Sequence, residues 1–398
     1  MRPLCRAGGA CAERGWGRVL VLAEEGRAAA MALQSMQKAG VVAQLLLPPV
    51  GPCAWPGLVD EVAPVAARAD AVLGVGGGAV LDLAKAAAAM APLLQASDRS
   101  PSFEPLTSRF LLGAEGHSLL PGAALPVLLA PTRPTVAATS GRCLLHPEGG
   151  LSALAPLAIA GPGPFGVGVG LQALEVFQVP SDAAKQSTRG TAAAVAHALA
   201  VFVDGAAAAG GTIKQKQLLD DMMMGVGSSF SALRQPESAQ VDAFEASLQA
   251  GLAASESDAN AKGDLCVIHA LACILAGCRN VPFGWACRVL LPPVLRAWEE
   301  EGDDPSRSLA VLAEAMLGSS SLARLADFLD GAFSAAGLPP LLPLDHAECP
   351  DSAATLLALC AEEAPVANQR PAPGWALVGP VSLLWGVKGT RLEPHKVI

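Results

Sequence analysis

Residues 70–90 read DAVLGVGGGAVLDLAKAAAAM, and the fold turns on them. The apolar run Ala71, Val72, Leu73 reads as a buried parallel strand. Gly76, Gly77 and Gly78 follow it, and an alanine-rich helix begins near Ala79. Glycines in such a turn let the backbone approach a diphosphate closely, and the first N–H groups of the helix face the anion with the positive end of the helix dipole behind them. The same turn also serves as plain strand-to-helix packing, so a nucleotide role and a packing role both stand on these residues alone.

Upstream, residues 19–22 (VLVL) read as a second buried strand, closed by Glu24, Glu25 and Gly26 before a helix over 27–39. Residues 41–47 form a further strand, 48–56 a turn-rich connector and 58–69 a helix. Strands and helices alternating through short connections predict a parallel sheet covered on both faces. Downstream, 97–121 is a polar connector containing prolines, and 123–130 (AALPVLLA) is another strand leading into Pro131 and Thr132. From about residue 151 to 359 the texture turns to helical Ala/Leu/Gly periodicity, with the glycine-rich stretch 161–170 as its entrance. The expected fold class is therefore α/β: a parallel-sheet domain over residues 1–146, then an all-α helical domain over 147–398; the resemblance described below implies that the first is a dinucleotide-binding domain.

Bulk properties narrow the function. A chain of 398 residues, 52% hydrophobic and 16% charged, can bury the cores of two domains. Net charge is −9 with a sequence pI near 5.2 and no basic run, which disfavours a nucleic-acid partner. Mean hydropathy is +0.41, yet the most membrane-like window, 191–210, carries His197 and Asp204, so no membrane span is expected. Ten cysteines without a C-x-x-C pair suit reduced thiols and an intracellular setting, cytoplasmic or organellar. The first eighteen residues carry four arginines and no apolar h-region, which argues against a secretory signal and is compatible with a transit-peptide remnant.

The glycine loop is followed by Asp82, Ala84 and Lys85, and this GGG-x-x-x-D-x-A-K pattern resembles the signature of the iron-dependent (group III) alcohol dehydrogenase family. The resemblance extends in order along nearly the whole chain, as far as Asn368, Gln369, Arg370 and Pro371. It implies the fold shared with dehydroquinate synthase, with an extra first strand that is shortened or missing here. It also implies NAD(P) as cofactor, with Gly76, Gly77, Gly78 and Asp82 at the cofactor. Glu24 stands nearest the acidic position that binds the adenosine ribose, which favours NAD; a solvated acid at a helix start is the alternative reading. Thr132 and Arg133 open a second cofactor loop in which relatives carry glycines where this chain has Thr135 and Ala137. That change hinders close backbone approach, while Arg133 adds charge near a diphosphate.

Family members hold iron or zinc with one Asp and three His, the first pair spaced D-x-x-x-H-A-x-E on a helix. Anchoring that pattern on Ala173 and Glu175 puts Gly168 and Gln172 at the two ligand positions. In the second pair His269 keeps a ligand position and Phe283 replaces the other, while Cys273 takes a His position near the nicotinamide and substrate. A divalent ion needs about four ligands, so iron or zinc is not expected to be held, and a rebuilt site on His269 and Cys273 would need a remote third ligand. His269 and Cys273 are then the remaining catalytic candidates, with buried helix residues as the plain alternative. His197 reads as structural. Without the ion as Lewis acid, hydride transfer is expected to be impaired or lost. Three functions follow: an altered oxidoreductase, a silent scaffold (a homodimer or a subunit of a larger assembly), or a dinucleotide-binding sensor.

Overall fold

The computed structural model describes residues 1–49, 51, 54–95, 124–133, 135–138, 142–145, 157–160, 173–180, 188–208, 268, 272, 282–301 and 304–340. The chain divides into two compact units. One comprises Met1–Glu148, Pro156–Ser187 and Ala254–Gly263, and the other Gly149–Ala155, Thr188–Ala253 and Asp264–Ile398.

The first unit is built on strands β1 (Arg2–Pro3), β2 (Arg18–Ala23), β3 (Val42–Leu46), β4 (Ala71–Gly76) and β5 (Val127–Pro131), a two-stranded antiparallel ladder of β6 (Arg142–Leu145) with β7 (Leu157–Ala160), and β8 (Glu175–Gln178). Six of these form one parallel sheet in the order β1-β8-β5-β4-β2-β3. The chain runs from β2 outward to β3, then crosses back to β4 on the other side of β2. A crevice opens at such a reversal, beyond the carboxyl ends of the two strands.

Alternation along the strands divides two cores. Leu20, Leu22, Val72 and Leu129 face α3 (Pro56–Ala66) and α4 (Gly78–Gln95). Val19, Val21, Leu73, Val75 and Leu128 face the other way, onto α1 (Ala7–Glu13) and α2 (Arg27–Lys38). Each fully buried Leu or Val is worth about 1.5–3 kcal/mol, which fixes the register, since a slip by one residue would turn every strand inside out. At Gly74 a Cβ would come within 2.9 Å of the Ala84 side chain, so this glycine sets how closely α4 lies on β4.

The shortened first strand survives as the two residues of β1 against β8. Ion pairs of Arg2 and Arg14 with Glu175, at 3.3 and 3.0 Å, tie the N-terminal segment to β8.

The second unit contributes helices α5 (Thr188–Ala208), α6 (Phe283–Glu301), α7 (Asp304–Leu317) and α8 (Leu322–Ala335). Arg288 of α6 is fully buried and donates to the Leu338 and Asp330 carbonyls, to Ser334 and to the Asp330 carboxylate at 2.6 Å, so it closes the C-terminal end of α8. Ser321 caps the other end, accepting from the Arg324 N–H at 3.3 Å.

The structure departs from the sequence expectation after residue 151. Residues 157–160 and 175–178 are strands, although the composition there reads as helical. Short Ala/Leu/Val segments do not distinguish a buried strand from a helix by periodicity. Among the described residues, no helix is long and apolar enough to cross a membrane.

Candidate functional site

At the reversal point the carboxyl ends of β2, β4 and β5 converge. Glu24 directly follows β2, and its backbone N–H donates to the Val75 carbonyl at 3.0 Å, holding it beside the glycine turn. The Thr132 N–H donates to the Gly76 carbonyl at 2.9 Å, which fixes the second loop to the first. Glu24, Gly76, Gly77, Gly78, Thr132 and Arg133, read separately along the sequence, thus form one cluster.

The glycines make room. A Cβ at Gly76 would meet Val80 and the Glu24 side chain at 3.0–3.1 Å, and one at Gly77 would meet the Glu24 carboxylate and the Arg133 guanidinium at 3.1–3.2 Å. The first amides of α4 have no acceptor within the helix and point out of its positive end. The Gly77 N–H donates to Glu24 Oε1 at 2.9 Å, a carboxylate in the place of an anionic guest. Arg133 Nη2 donates to both Glu24 oxygens at 2.7 Å. Thr132 is buried, and its Oγ1 has no hydrogen-bond partner among the described residues. A buried hydroxyl left unmatched is costly. The bare glycine face and the Arg133 guanidinium thus border one space, which the Glu24 carboxylate occupies. Thr135 closes part of the space in front of Gly78: its Oγ1 accepts from the Ala137 N–H at 3.2 Å and would lie 3.2 Å from a Cβ there.

Asp82 lies one turn into α4, buried and ion-paired with the fully buried Lys85 at 3.5 Å. Burial lowers the Lys85 pKa, and the Asp82 carboxylate opposes that shift. Asp82 and Lys85 thus hold each other beneath the loop.

In the second unit α5 crosses α6 at close range. A Cβ on Gly284 would collide with the Ala193 carbonyl, and the His197 and Phe283 rings meet edge to face, with centroids 4.5 Å apart at an interplanar angle of 64°. Arg189 rides over the Trp285 ring at 4.3 Å, near the same ends of the two helices. Among the described residues, no group of three or more His, Cys, Asp or Glu is gathered as metal ligands would be.

This geometry corrects the helix expected around Ala173 and Glu175. Glu175 is in strand β8, paired with β5, so the helical pattern cannot be anchored there; Gly168 and Gln172 lie outside the described residues. His269 and Cys273 also lie outside them, between and beside the buried helical residues Ile268 and Ala272. The residue that sequence reasoning set aside is His197. Its signal is the spacing: Ala193, His197, Ala198 and Ala200 on α5 follow D-x-x-x-H-A-x-E with alanine at both acidic positions.

A parallel sheet with a glycine cradle at its reversal, together with a second unit whose described residues are helical, defines the class: an α/β protein with the fold of solved iron-containing alcohol dehydrogenases. Residues 4–148, about a third of the chain, match the family model "Iron-containing alcohol dehydrogenase". No curated protein matches the sequence. Among solved structures, an alcohol dehydrogenase from Oenococcus oeni is 18% identical, with TM-score 0.73, covering 96% of this chain and 97% of that one. The NADH-dependent butanol dehydrogenase A from Thermotoga maritima is 15% identical, with TM-score 0.70, covering 96% and 94%. The sulfoacetaldehyde reductase from Bifidobacterium kashiwanohense, solved in complex with NAD+, is 16% identical, with TM-score 0.72, covering 96% and 94%.

Proposed function

We propose that this chain keeps a dinucleotide cradle and has lost metal-dependent hydride transfer, so that it acts by binding a dinucleotide rather than by turning over an alcohol. The observation that carries this reading is the contact of Phe283 with His197. By the family resemblance Phe283 stands at a ligand position, and the spacing on α5 aligns Ala193 and His197 with the family's Asp and His. Two of the four ligands are then replaced by groups with no lone pair to offer. The Phe283 ring also fills the space beside the His197 imidazole. An iron or zinc ion would find His197 and His269 but neither the compensating carboxylate nor the fourth donor. The residues do not fit the metal, and no reaction step is routed through it.

The cradle supports the binding half of the reading. Gly76–Gly78 and the Gly78 and Ala79 amides at the start of α4 would take the phosphates. Metal content of protein purified in the presence of iron and zinc, measured alongside NAD(P)-linked alcohol oxidation, tests the first half. The expected result is well below one metal per chain and no turnover above background; one bound metal per chain with turnover overturns it. The double variant A193D/F283H is expected to gain metal, since it restores both missing donors beside His197.

A further inference from the structure

We propose that Glu24 and Arg133 form an autoinhibitory latch: the Glu24 carboxylate fills the phosphate place at the glycine turn, and a phosphate-bearing ligand must displace it to enter. This rests on the reading that the cradle holds dinucleotide, and it adds how that same site is controlled.

The carboxylate stands where an anionic guest would. The Gly77 N–H, at the positive end of α4, donates to Glu24 Oε1 at 2.9 Å. Arg133 Nη2 donates to both Glu24 oxygens at 2.7 Å. A Cβ on Gly77 would lie 3.1 Å from Glu24 Oε1 and 3.2 Å from the guanidinium carbon of Arg133, so the two side chains lie together across the bare face of the turn. One negative group thus already satisfies the turn amide and the guanidinium, the donors that a phosphate would use there. A phosphate cannot add to this arrangement, because two anions in one space repel each other; it can only take the carboxylate's place.

Side-chain motion alone opens the latch. The backbone beside each partner is pinned: the Glu24 N–H donates to the Val75 carbonyl at 3.0 Å, and the N–H of Thr132, next to Arg133, donates to the Gly76 carbonyl at 2.9 Å. The Glu24 side chain is 15% exposed and that of Arg133 46%, so both border solvent and can turn outward without disturbing the core. A pair this exposed is partly screened by water, so the latch weakens binding without abolishing it. The apparent dissociation constant is the intrinsic one divided by the fraction of molecules in which Glu24 has swung away. Removing the carboxylate raises that fraction to its limit.

Calorimetric titration of the full chain with inorganic pyrophosphate, ADP and NADH tests this without any turnover. Pyrophosphate has no ribose, so its affinity reports the turn itself and no contact of Glu24 with a sugar. Glu24→Ala is expected to bind pyrophosphate about fivefold or more tightly than the wild type, the scale of one partly exposed ion pair with its amide hydrogen bond. Glu24→Gln keeps the shape and loses the charge, so it should gain in the same direction by less, and it answers the question if Glu24→Ala does not fold. Adding Gly77→Ala to either variant should cancel the gain, because the methyl refills the space that the carboxylate left. Pyrophosphate affinity equal to or below that of a wild type that binds NADH overturns the latch and leaves the cradle standing. A gain that survives Gly77→Ala overturns the latch too, since it reports net charge and not the turn. If neither the wild type nor the variants bind any of the three, latch and cradle fall together, while metal content decides the loss of the metal separately.

Discussion

The glycine turn after β4 and the crossing of α5 with α6 are both places where a missing Cβ lets two parts of the chain come close, and they differ in what occupies the space. At Gly77 the neighbours are the ends of two charged side chains, Glu24 and Arg133. At Gly284 the neighbour is the backbone of Ala193. Charged side-chain ends can swing aside for a ligand at little cost, whereas a helix backbone cannot. The turn can therefore adapt to a neighbour, while the helix crossing, where Gly284 meets Ala193 and the Phe283 ring meets His197, is fixed by close packing.

The sharpest way to break this comparison is Gly284→Ala. The added methyl would fall on the Ala193 carbonyl, so α5 and α6 must separate, and the Arg189–Trp285 and His197–Phe283 contacts go with them. Overpacking against backbone costs on the order of 3 kcal/mol, at the upper end of what such insertions usually show. That is expected to lower Tm by on the order of 10 °C in thermal denaturation, for a body of this size. A Tm within a degree of wild type would mean that the crossing is loose, and the argument that Phe283 has closed the space beside His197 would lose its footing.

Gly77→Ala is the counterpart, with a smaller effect on stability and a larger one on binding. Its Cβ would meet only the Glu24 and Arg133 side chains, which can shift, so the expected loss of stability is within about 0.5 kcal/mol. Affinity for NADH should nevertheless fall tenfold or more, because the methyl would fill the bare face of Gly77 that a phosphate displacing the Glu24 carboxylate would need. Unchanged affinity would show that the dinucleotide, if it binds, does so away from the turn.

Both glycines were visible in the sequence, but only one could be interpreted from it. The β4 turn is local: strand, three glycines and helix follow one another within twenty residues, and each element has its own periodicity. The parallel sheet was legible for the same reason, since Val19–Leu22 and Ala71–Leu73 are continuous apolar runs suited to a strand buried on both faces. The Glu24–Arg133 pair was only half legible. Each residue stood out alone, but their contact depends on β5 lying beside β4 in register, with Gly76 opposite Pro131. His197 reads as structural in the sequence, and its edge-to-face contact with Phe283 is a packing contact; the second reading proposed for it rests on spacing alone, because Ala193 and Ala200 leave a bland helical stretch where the family's pattern has acids. Glu175, one residue upstream of an apolar pair, offered a false anchor in what is a β-strand, where its carboxylate holds Arg2 and Arg14 rather than a helix start.

The smallest expected effect concerns the core of the first unit and separates its packing from its binding site. Cys11 is buried between α1 and the sheet, and burial pushes its thiol pKa up to about 11, with the positive charge of Arg14 opposing the shift. A folded-state pKa raised above the unfolded value means that the folded protein prefers the neutral thiol. That contribution is complete below the unfolded value of about 9 and is lost as pH rises through 11. Wild-type Tm should therefore fall between pH 8.5 and 11 by more than the Tm of Cys11→Ala, which has no thiol to ionise; the variant itself should lose only about 1 kcal/mol at neutral pH, since it deletes one small buried group. Nucleotide affinity at pH 7 should be the same in both, because Cys11 belongs to the α1–α2 face of the sheet and the cradle is built at the strand ends. Parallel pH curves for the two proteins would mean that the thiol ionises without leaving the core, and that the α1–α2 face is more open to water than its burial indicates.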